Sequence, residues 1–358
     1  MLNTTRAIID LSALRHNLSV VRSLCPVSRV MAMIKADAYG HGLINAARAL
    51  SGADGLAVAR LDEALQLRRA GISQRVLLLG TLLDRDDLQL CSAQKIDVTA
   101  HDFATAKNIA AIVDQYPLRV WLKLDSGMHR LGLSSTEFIA AEQLLRHRHG
   151  IIELSHLSHL SSSEDFSSDA TATQLQTFDA LRTNADCDAS IANSAAIIAR
   201  PNTRREWVRP GIMLYGVNPL AEQRGIELKP VMSLRANVLS VREVAAGDSV
   251  GYNQTWTAQR ASRIAAIGIG YGDGYPRHAQ NGTSVSINGH IAPLAGRVSM
   301  DTITVDVTEI PNLYVGDEAI LWGVELAVER VAKYAGTISY ELLTAIGHRV
   351  PREYIGEN

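Results

Sequence analysis

Short apolar runs, many of them β-branched, recur along residues 29–216 and alternate with longer segments whose apolar positions fall three and four apart. Repeated βα units read this way. A strand buried on both faces gives a continuous apolar run, and the helix laid over it gives one apolar stripe. The runs occupy 29–34, 55–59, 75–80, 97–100, 119–125, 150–157, 190–194 and 211–216, and between them 60–72 (RLDEALQLRRAGI) and 102–116 (DFATAKNIAAIVDQY) carry the helical period. Eight such strands predict an α/β fold, an N-terminal (β/α)8 TIM-type barrel. The fourth run is weak, which keeps an open doubly wound sheet as the alternative.

Past Pro230 the texture changes. Apolar and polar residues alternate over 231–241, 263–270, 283–287, 303–307 and 319–322, broken by Gly-Asp, Asn-Gly and Gly-Tyr turns. This predicts a second, mostly antiparallel β C-terminal domain. The polar connection 220–229 sets the boundary, giving a barrel over 1–228 and a β domain over 229–358. Of the 26 glycines, 17 follow residue 208, as do eight of the ten tyrosines, so the two parts differ in construction.

Composition narrows the partners. With 47% hydrophobic residues among 358 the chain can bury a sizeable core, and 35 Lys+Arg against 37 Asp+Glu leave no basic surplus for nucleic acid. No apolar run approaches the ~20 residues that cross a bilayer, and no basic-then-apolar leader opens the sequence. The three cysteines are widely spaced without a C-x-x-C pair, which fits neither a disulfide framework nor a zinc ribbon. The expectation is a cytoplasmic protein with no membrane, nucleic-acid or metal partner.

Barrel enzymes place their chemistry where strands end and βα loops begin. The first run delivers Lys35, followed by Ala-Asp-Ala-Tyr39-Gly-His-Gly42. A lysine leaving an apolar strand is partly desolvated, which lowers its pKa and frees its amine for a Schiff base; the bland alternative is a lysine snorkelling from a strand end. The glycines at 268, 270, 272 and 274 look like a dinucleotide fingerprint, but their spacing is strictly two and G-x-G-x-x-G fails in both registers.

The Lys35 segment resembles the cofactor-lysine motif of alanine racemases, the barrel branch of pyridoxal-phosphate enzymes. The likeness continues through Leu122-Lys-Leu-Asp-Ser-Gly-Met-His-Arg130, Asn193-Ser194-Ala, Val208-Arg209-Pro-Gly-Ile-Met-Leu-Tyr-Gly216, Val250-Gly-Tyr252, Gly270-Tyr271-Gly-Asp-Gly-Tyr, Gly296-Arg297-Val-Ser-Met300-Asp301 and Arg349-Val-Pro-Arg-Glu-Tyr354. It covers essentially the whole chain, in family order.

The resemblance implies an isomerase that interconverts L- and D-alanine with pyridoxal 5'-phosphate, working as a homodimer with shared active sites. By likeness, Lys35 binds the cofactor and serves as base on the D face, and Tyr252 of the other chain is the base on the L face. A phenol titrates near ~10, so Tyr252 needs a cationic or hydrogen-bonding neighbour. Two bases on opposite faces are what racemisation requires, one to remove the α-proton and one to return it. The family places Arg209 against the pyridine nitrogen, and a guanidinium there can donate a hydrogen bond but not its proton. Arg130 meets the phenolic oxygen and the substrate carboxylate, His159 lies near the ring, and Lys123 aligns with a lysine often carbamylated in the family. The resemblance gives the phosphate to Tyr39, Ser194, the amides of Gly211 and Ile212, and Tyr354, and the substrate wall to Tyr271, Met300 and Asp301, with Arg277 and Arg297 at the entrance. Read without the family, Tyr252 is a strand tyrosine, Arg209 a loop arginine, His159 a structural histidine and Lys123 the partner of Asp125.

Two departures from the usual pattern carry expectations. Asp37 stands where many relatives have asparagine and is expected to raise the Lys35 pKa. After His159, Leu160-Ser-Ser-Ser-Glu164 replaces the commoner Phe-Ala-x-Ala-Asp, which bears on local packing. Rival readings are a broader amino-acid (serine) racemase, a barrel-class decarboxylase, and a non-catalytic pyridoxal-phosphate homeostasis protein. The second domain speaks against the last of these.

Overall fold

The computed structural model describes residues 5–80, 82–182, 186–220 and 225–357. The chain enters through strand β1 (Thr5–Asp10), and Asp10 turns it into the helix Leu11–Leu24 by accepting the amides of Ser12 and Ala13 on Oδ1 at 2.8 and 3.1 Å. Eight parallel strands then close a barrel in sequence order: β2 (Arg29–Met33), β3 (Gly55–Val58), β4 (Arg75–Leu78), β5 (Ile96–Ala100), β6 (Leu118–Lys123), β7 (Ile151–Leu157), β8 (Ala189–Ser190) and β9 (Trp207–Val208). Pairing of β9 with β2 through Arg29–Trp207 and Val30–Val208 completes the ring, so the open-sheet alternative is set aside. The weak fourth run is a full strand, all five of its residues buried.

The eighth strand is not where the pattern put it. Residues 211–216 contain a 3-10 turn, Ile212–Tyr215, and the strand is the two residues before Arg209. Pro210 has no amide to donate to a ladder, and the four residues of the turn are buried all round, so their apolar run has no period to separate strand from turn. The predicted helices stand as Leu61–Arg69 and Phe103–Ile112, the second capped by Asp102 Oδ1 on the Thr105 amide at 2.7 Å.

At the amino ends of the strands the barrel is plugged by charge and indole. Arg75 lies 5.6 Å from the Trp121 ring and 5.1 Å from the Trp207 ring. It donates to Asp97 at 2.5 Å and in a fork to both oxygens of Glu153 at 2.9 and 3.0 Å, while the Trp121 indole donates to Asp97 at 3.2 Å.

The second sheet is built on the long strand β10 (Met232–Val244), which breaks register between Val238 and Ser240 and so serves two sets of neighbours. Its order is His290–Pro293, Ser284–Ile287, Glu318–Trp322, β10, β1 and Arg352–Ile355, with Ser262–Ile267 paired to the far part of β10 and Ile303–Asp306 paired in turn to Ser262–Ile267. The β1 and Arg352–Ile355 strands were not expected. Their pairings join residues more than 200 apart, as in Thr5–Ala236. Residues 221–224 of the predicted connection lie outside the described residues. Two helices that the pattern also left unmarked, Val328–Ala335 and Ser339–Ala345, follow the sheet, and the second reaches the mouth of the barrel.

Candidate active site

The carboxyl ends of the barrel strands open into a cavity of about 860 Å³. Lys35, half-buried, enters it directly after β2. The backbone beyond it winds the wrong way: Ala36, Asp37, Ala38 and Tyr39 have φ of 53, 52, 53 and 54°, a left-handed turn with no glycine in it. Each such residue costs about 1–2 kcal/mol relative to its right-handed form, so the turn persists only because its surroundings fix it. Glu63 accepts the Ala36 amide at 2.6 Å, and Asp37 Oδ1 accepts the Leu43 amide at 2.7 Å. The His41 ring, fully buried, holds Nδ1 2.8 Å from the Tyr39 carbonyl; burial keeps its pKa down at about 4, so the ring is neutral with Nδ1 as the donor.

The turn aims Tyr39 across the cavity floor, where its ring stacks on Tyr215 at 4.7 Å. Ser194 Oγ accepts the Gly211 amide at 2.9 Å and the Met213 amide at 3.4 Å. A Cβ on Gly211 would stand 2.6 Å from the Tyr39 hydroxyl, so glycine is required where the chain passes closest to that phenol. Ser194, Tyr39, Gly211 and Ile212 thus form one corner of the cavity, joined by Tyr340 from the helix Ser339–Ala345, its ring 6.1 Å from that of Tyr39. Burial raises both phenols, Tyr340 to about 12 with Glu164 adding to the shift, so both remain hydrogen-bond donors.

The opposite side is cationic. Lys123 at the end of β6, Arg130 in the loop after it, and Arg209 after β9 all line the cavity with Lys35. Arg209 is buried, donates to Ser190 Oγ at 2.6 Å and to the Ser158 carbonyl at 2.5 Å, and lies 3.4 Å from His159 Nδ1. Burial first, and Arg209 and Arg130 next, hold His159 well below its usual range and therefore neutral. Burial also lowers Lys35, with Arg130 adding and Glu63 opposing. Lys123 falls to about 8, through burial and then Arg209, Arg130 and Lys35.

Two expectations change here. Asp37 faces the Leu43 amide, and the carboxylate that opposes the fall of Lys35 is Glu63. Asp125 does not stand as a simple partner for Lys123: its Oδ1 accepts the amides of Gly127, Met128 and His129, each at 3.0 Å, shaping the loop that carries Arg130.

The structure brings Lys35, Tyr39, Lys123, Arg130, His159, Ser194, Arg209, Gly211 and Ile212 around one cavity. It does not bring Tyr252, Tyr271, Met300, Asp301 or Tyr354 there. Tyr252 is 65% exposed beside the hairpin of Ser249–Val250 and Trp256–Thr257, and Met300 is 54% exposed. Asp301 pairs with Arg349 at 2.8 Å, Arg277 stands over the Tyr271 ring at 6.0 Å, and Arg277 and Arg297 border a separate hollow. Tyr354 lies in the sheet beside β1, its hydroxyl against Gly42, where a Cβ would come within 2.0 Å. The phenol that the carboxyl-terminal segment gives to the cavity is Tyr340. Sequence reading missed it because Thr337-Ile-Ser-Tyr340-Glu has neither a turn signal nor a strand end to mark it.

A closed parallel barrel with a desolvated amine at its first strand end, facing guanidiniums on one side and hydroxyls on the other, defines a barrel enzyme whose site accepts an anionic ligand. The chain belongs to the alanine racemase family: the family model for the alanine racemase N-terminal domain matches residues 9–219 and that for the C-terminal domain matches 231–354. It is 46% identical over 357 residues to an alanine racemase of Nitrosococcus oceani, covering 98% of this chain and 99% of that one. Among solved structures it is similar to the biosynthetic alanine racemase of Pseudomonas aeruginosa, with TM-score 0.95 and 43% identity over 99% of both chains. An alanine racemase of Bartonella henselae with covalently bound pyridoxal phosphate is 32% identical, with TM-score 0.91, over 99% of this chain and 100% of that one.

Proposed function

We propose that this chain interconverts L- and D-alanine using pyridoxal 5'-phosphate held in the barrel cavity. The observation that carries this reading is the pairing of a desolvated Lys35 with a corner of hydroxyls and amides fit for a phosphate. When bound, the cofactor draws electrons from the α-carbon and so acidifies its proton. The residues of the chain do the rest. Lys35 is the attachment point and the base on the D face. Tyr39, Ser194, Tyr340 and the Ile212 amide hold the phosphate, the Gly211 amide acting through the Ser194 hydroxyl that accepts it, and Tyr354 supports Gly42 behind them. Arg209, fixed by Ser190 and Ser158, donates toward the ring nitrogen without giving up its proton, which disfavours side reactions such as transamination. Arg130 orients the carboxylate by a planar fork.

Tyr252, the second base of this reading, stands exposed outside its own chain's cavity. The reading is therefore a homodimer in which Tyr252, with Tyr271, Met300 and Asp301, completes the cavity of the other subunit. The bulk of Met300 favours a small side chain, alanine over serine. No described helix is long and apolar enough to cross a membrane. The reading places the enzyme in the cytoplasm, supplying D-alanine for peptidoglycan or serving alanine catabolism, with no nucleic-acid partner.

Loss of optical rotation from L-alanine with added cofactor, compared with L-serine and L-lysine, tests the activity. Alanine is expected to racemise fastest, and inertness toward all three points to a non-catalytic binding protein. Borohydride reduction of the loaded protein followed by peptide mapping is expected to place the pyridoxyl group on Lys35; a label on Lys123 refutes the assignment.

Lys123 gives a pH prediction. Its neutral amine can take up carbon dioxide, forming the N–C bond of a carbamate and releasing one proton, and the resulting anion would sit among Lys35, Arg130 and Arg209. Because the amine loses its proton near pH 8, the carbamate ¹³C signal from labelled bicarbonate should grow as the pH is raised through that value. A signal that persists in Lys123→Ala shows a different site.

A further inference from the structure

Away from the cavity, Glu142, His156 and Cys187 bring ligand atoms within 4.8 Å of one another. Arg146 already donates to Glu142 and lies 3.9 Å from Cys187 Sγ, so its guanidinium holds the place of a cation there. The left-handed turn after Lys35 carries more. Two of its four residues are alanines, whose side chains give the conformation no hydrogen bond of their own. What holds its first residue is one carboxylate in the first turn of the helix Leu61–Arg69, which follows β3. Glu63 takes the Ala36 amide on Oε1 at 2.6 Å, and the Ala59 and Arg60 amides on Oε2 at 2.9 and 3.0 Å. Both oxygens are engaged, one by the turn and one by the chain leaving β3.

The Ala36 N–H and the Lys35 carbonyl belong to one rigid peptide plane. The plane before Lys35 is held by the Ile34 carbonyl, which accepts the Ala38 amide at 2.9 Å; with the plane after it fixed by Glu63, the Lys35 Cα and the direction of its Cβ are fixed too. Without Glu63 the first residue of the turn loses its anchor while Asp37 and His41 still hold the later ones, and the amine at the end of a four-carbon stem would be displaced by more than the backbone.

We propose that Glu63 is a positioning residue for Lys35, keeping the left-handed turn wound and so fixing the point at which the lysine amine enters the cavity. This rests on the reading of Lys35 as the amine that carries the cofactor and moves the α-proton. Glu63 does not line the cavity; its charge opposes the fall of the Lys35 pKa, and its positioning action is through the Ala36 amide.

The test uses Glu63→Gln, which keeps the shape but sets an NH2 group against amide donors, with and without Ala36→Gly. Glycine adopts the left-handed conformation freely, and Ala36 is exposed, so this change relieves the strain without removing a packed group. Two quantities are read: the rate at which the cofactor-free protein captures pyridoxal phosphate, followed by the absorbance of the lysine-bound form, and kcat against KM for alanine. Glu63→Gln is expected to slow capture and to lower kcat by about 10²-fold, the scale of a small displacement of a reacting group, with KM little changed. Adding Ala36→Gly is expected to restore most of both. Capture at the unmutated rate in Glu63→Gln overturns the inference, and so does a loss that Ala36→Gly leaves in place. If Glu63→Gln does not fold, Glu63→Asp, which keeps the charge but is one methylene shorter, is read the same way. Failure to find the reduced label on Lys35 of the unmutated protein overturns the underlying reading instead.

Discussion

Tyr252→Phe will suppress the exchange of the L-alanine α-proton in deuterated water by about 10²–10⁴-fold, the range expected for loss of a general base, while D-alanine continues to exchange through Lys35. The asymmetry follows from the proposed division of faces: a phenyl ring keeps the packing of the phenol but cannot take or return a proton. Equal loss from both enantiomers would sink the assignment. The exposure of Tyr252 at 65%, outside the cavity that holds Lys35, adds a second arm. If each site takes Lys35 from one subunit and Tyr252 from the other, a heterodimer of Lys35→Ala and Tyr252→Phe chains contains one site with both groups intact and one with neither. Mixing the two inactive homodimers under conditions of subunit exchange should then recover activity, up to about a quarter of the unmutated level at random assortment. Exchange shown by mass but without recovered activity would mean that both groups serve within one chain.

Arg75→Ala is expected to destabilise the holoenzyme by about 3–5 kcal/mol, the cost of leaving a buried charge without its partner. The Asp97 side chain is 1% exposed and depends on Arg75, with the Trp121 indole as its other donor. Glu153 loses its fork, and Trp121 and Trp207 lose the guanidinium between them. Arg75→Lys should rescue only part of the loss, because an ammonium cannot serve two carboxylates and two ring faces at once. Burial already raises the Asp97 carboxyl, and Arg75 opposes that rise. Without the arginine the carboxyl rises further, so its destabilising charge is removed by protonation as the pH falls. The deficit measured by denaturant melts should therefore shrink toward acid pH. A deficit that is small, or that widens toward acid pH, would show that the barrel floor is held by packing and not by this network.

The barrel was legible because parallel strands covered on both faces announce themselves as unbroken apolar runs, and even the weak 97–100 run proved to be a strand. The last strand was not, because two residues, Trp207–Val208, suffice to close the ring and the longer apolar run after Pro210 packs as a buried turn. Strand β1 (TRAIID) buries alternate residues but does not alternate apolar and polar side chains, and Arg352–Ile355 has only four residues; what makes them strands is a partner far away in sequence. At the site, Lys35 was visible by its position at a strand end; Lys123 and Arg209 came only with the family resemblance, Arg209 because the run after it, not Trp207–Val208 before it, read as the strand. Tyr340 was not visible, because a helix from the other domain delivers it. The left-handed turn was hidden for a related reason: without a glycine, Ala36 to Tyr39 gives no local sign of its conformation, which is imposed by Glu63, Asp37 and His41.

The position of β1 between β10 and Arg352–Ile355 also bears on how the molecule is made. As the chain leaves the ribosome, its first strand has no neighbour to pair with until Met232–Val244 has been synthesised, and its other flank stays bare until Arg352–Ile355 follows. The barrel strands, each paired to the next in sequence, can assemble meanwhile. An apolar edge strand exposed for that interval is a template for wrong pairing, so the nascent chain should be most vulnerable to aggregation after its barrel has formed and before its second sheet closes over its beginning.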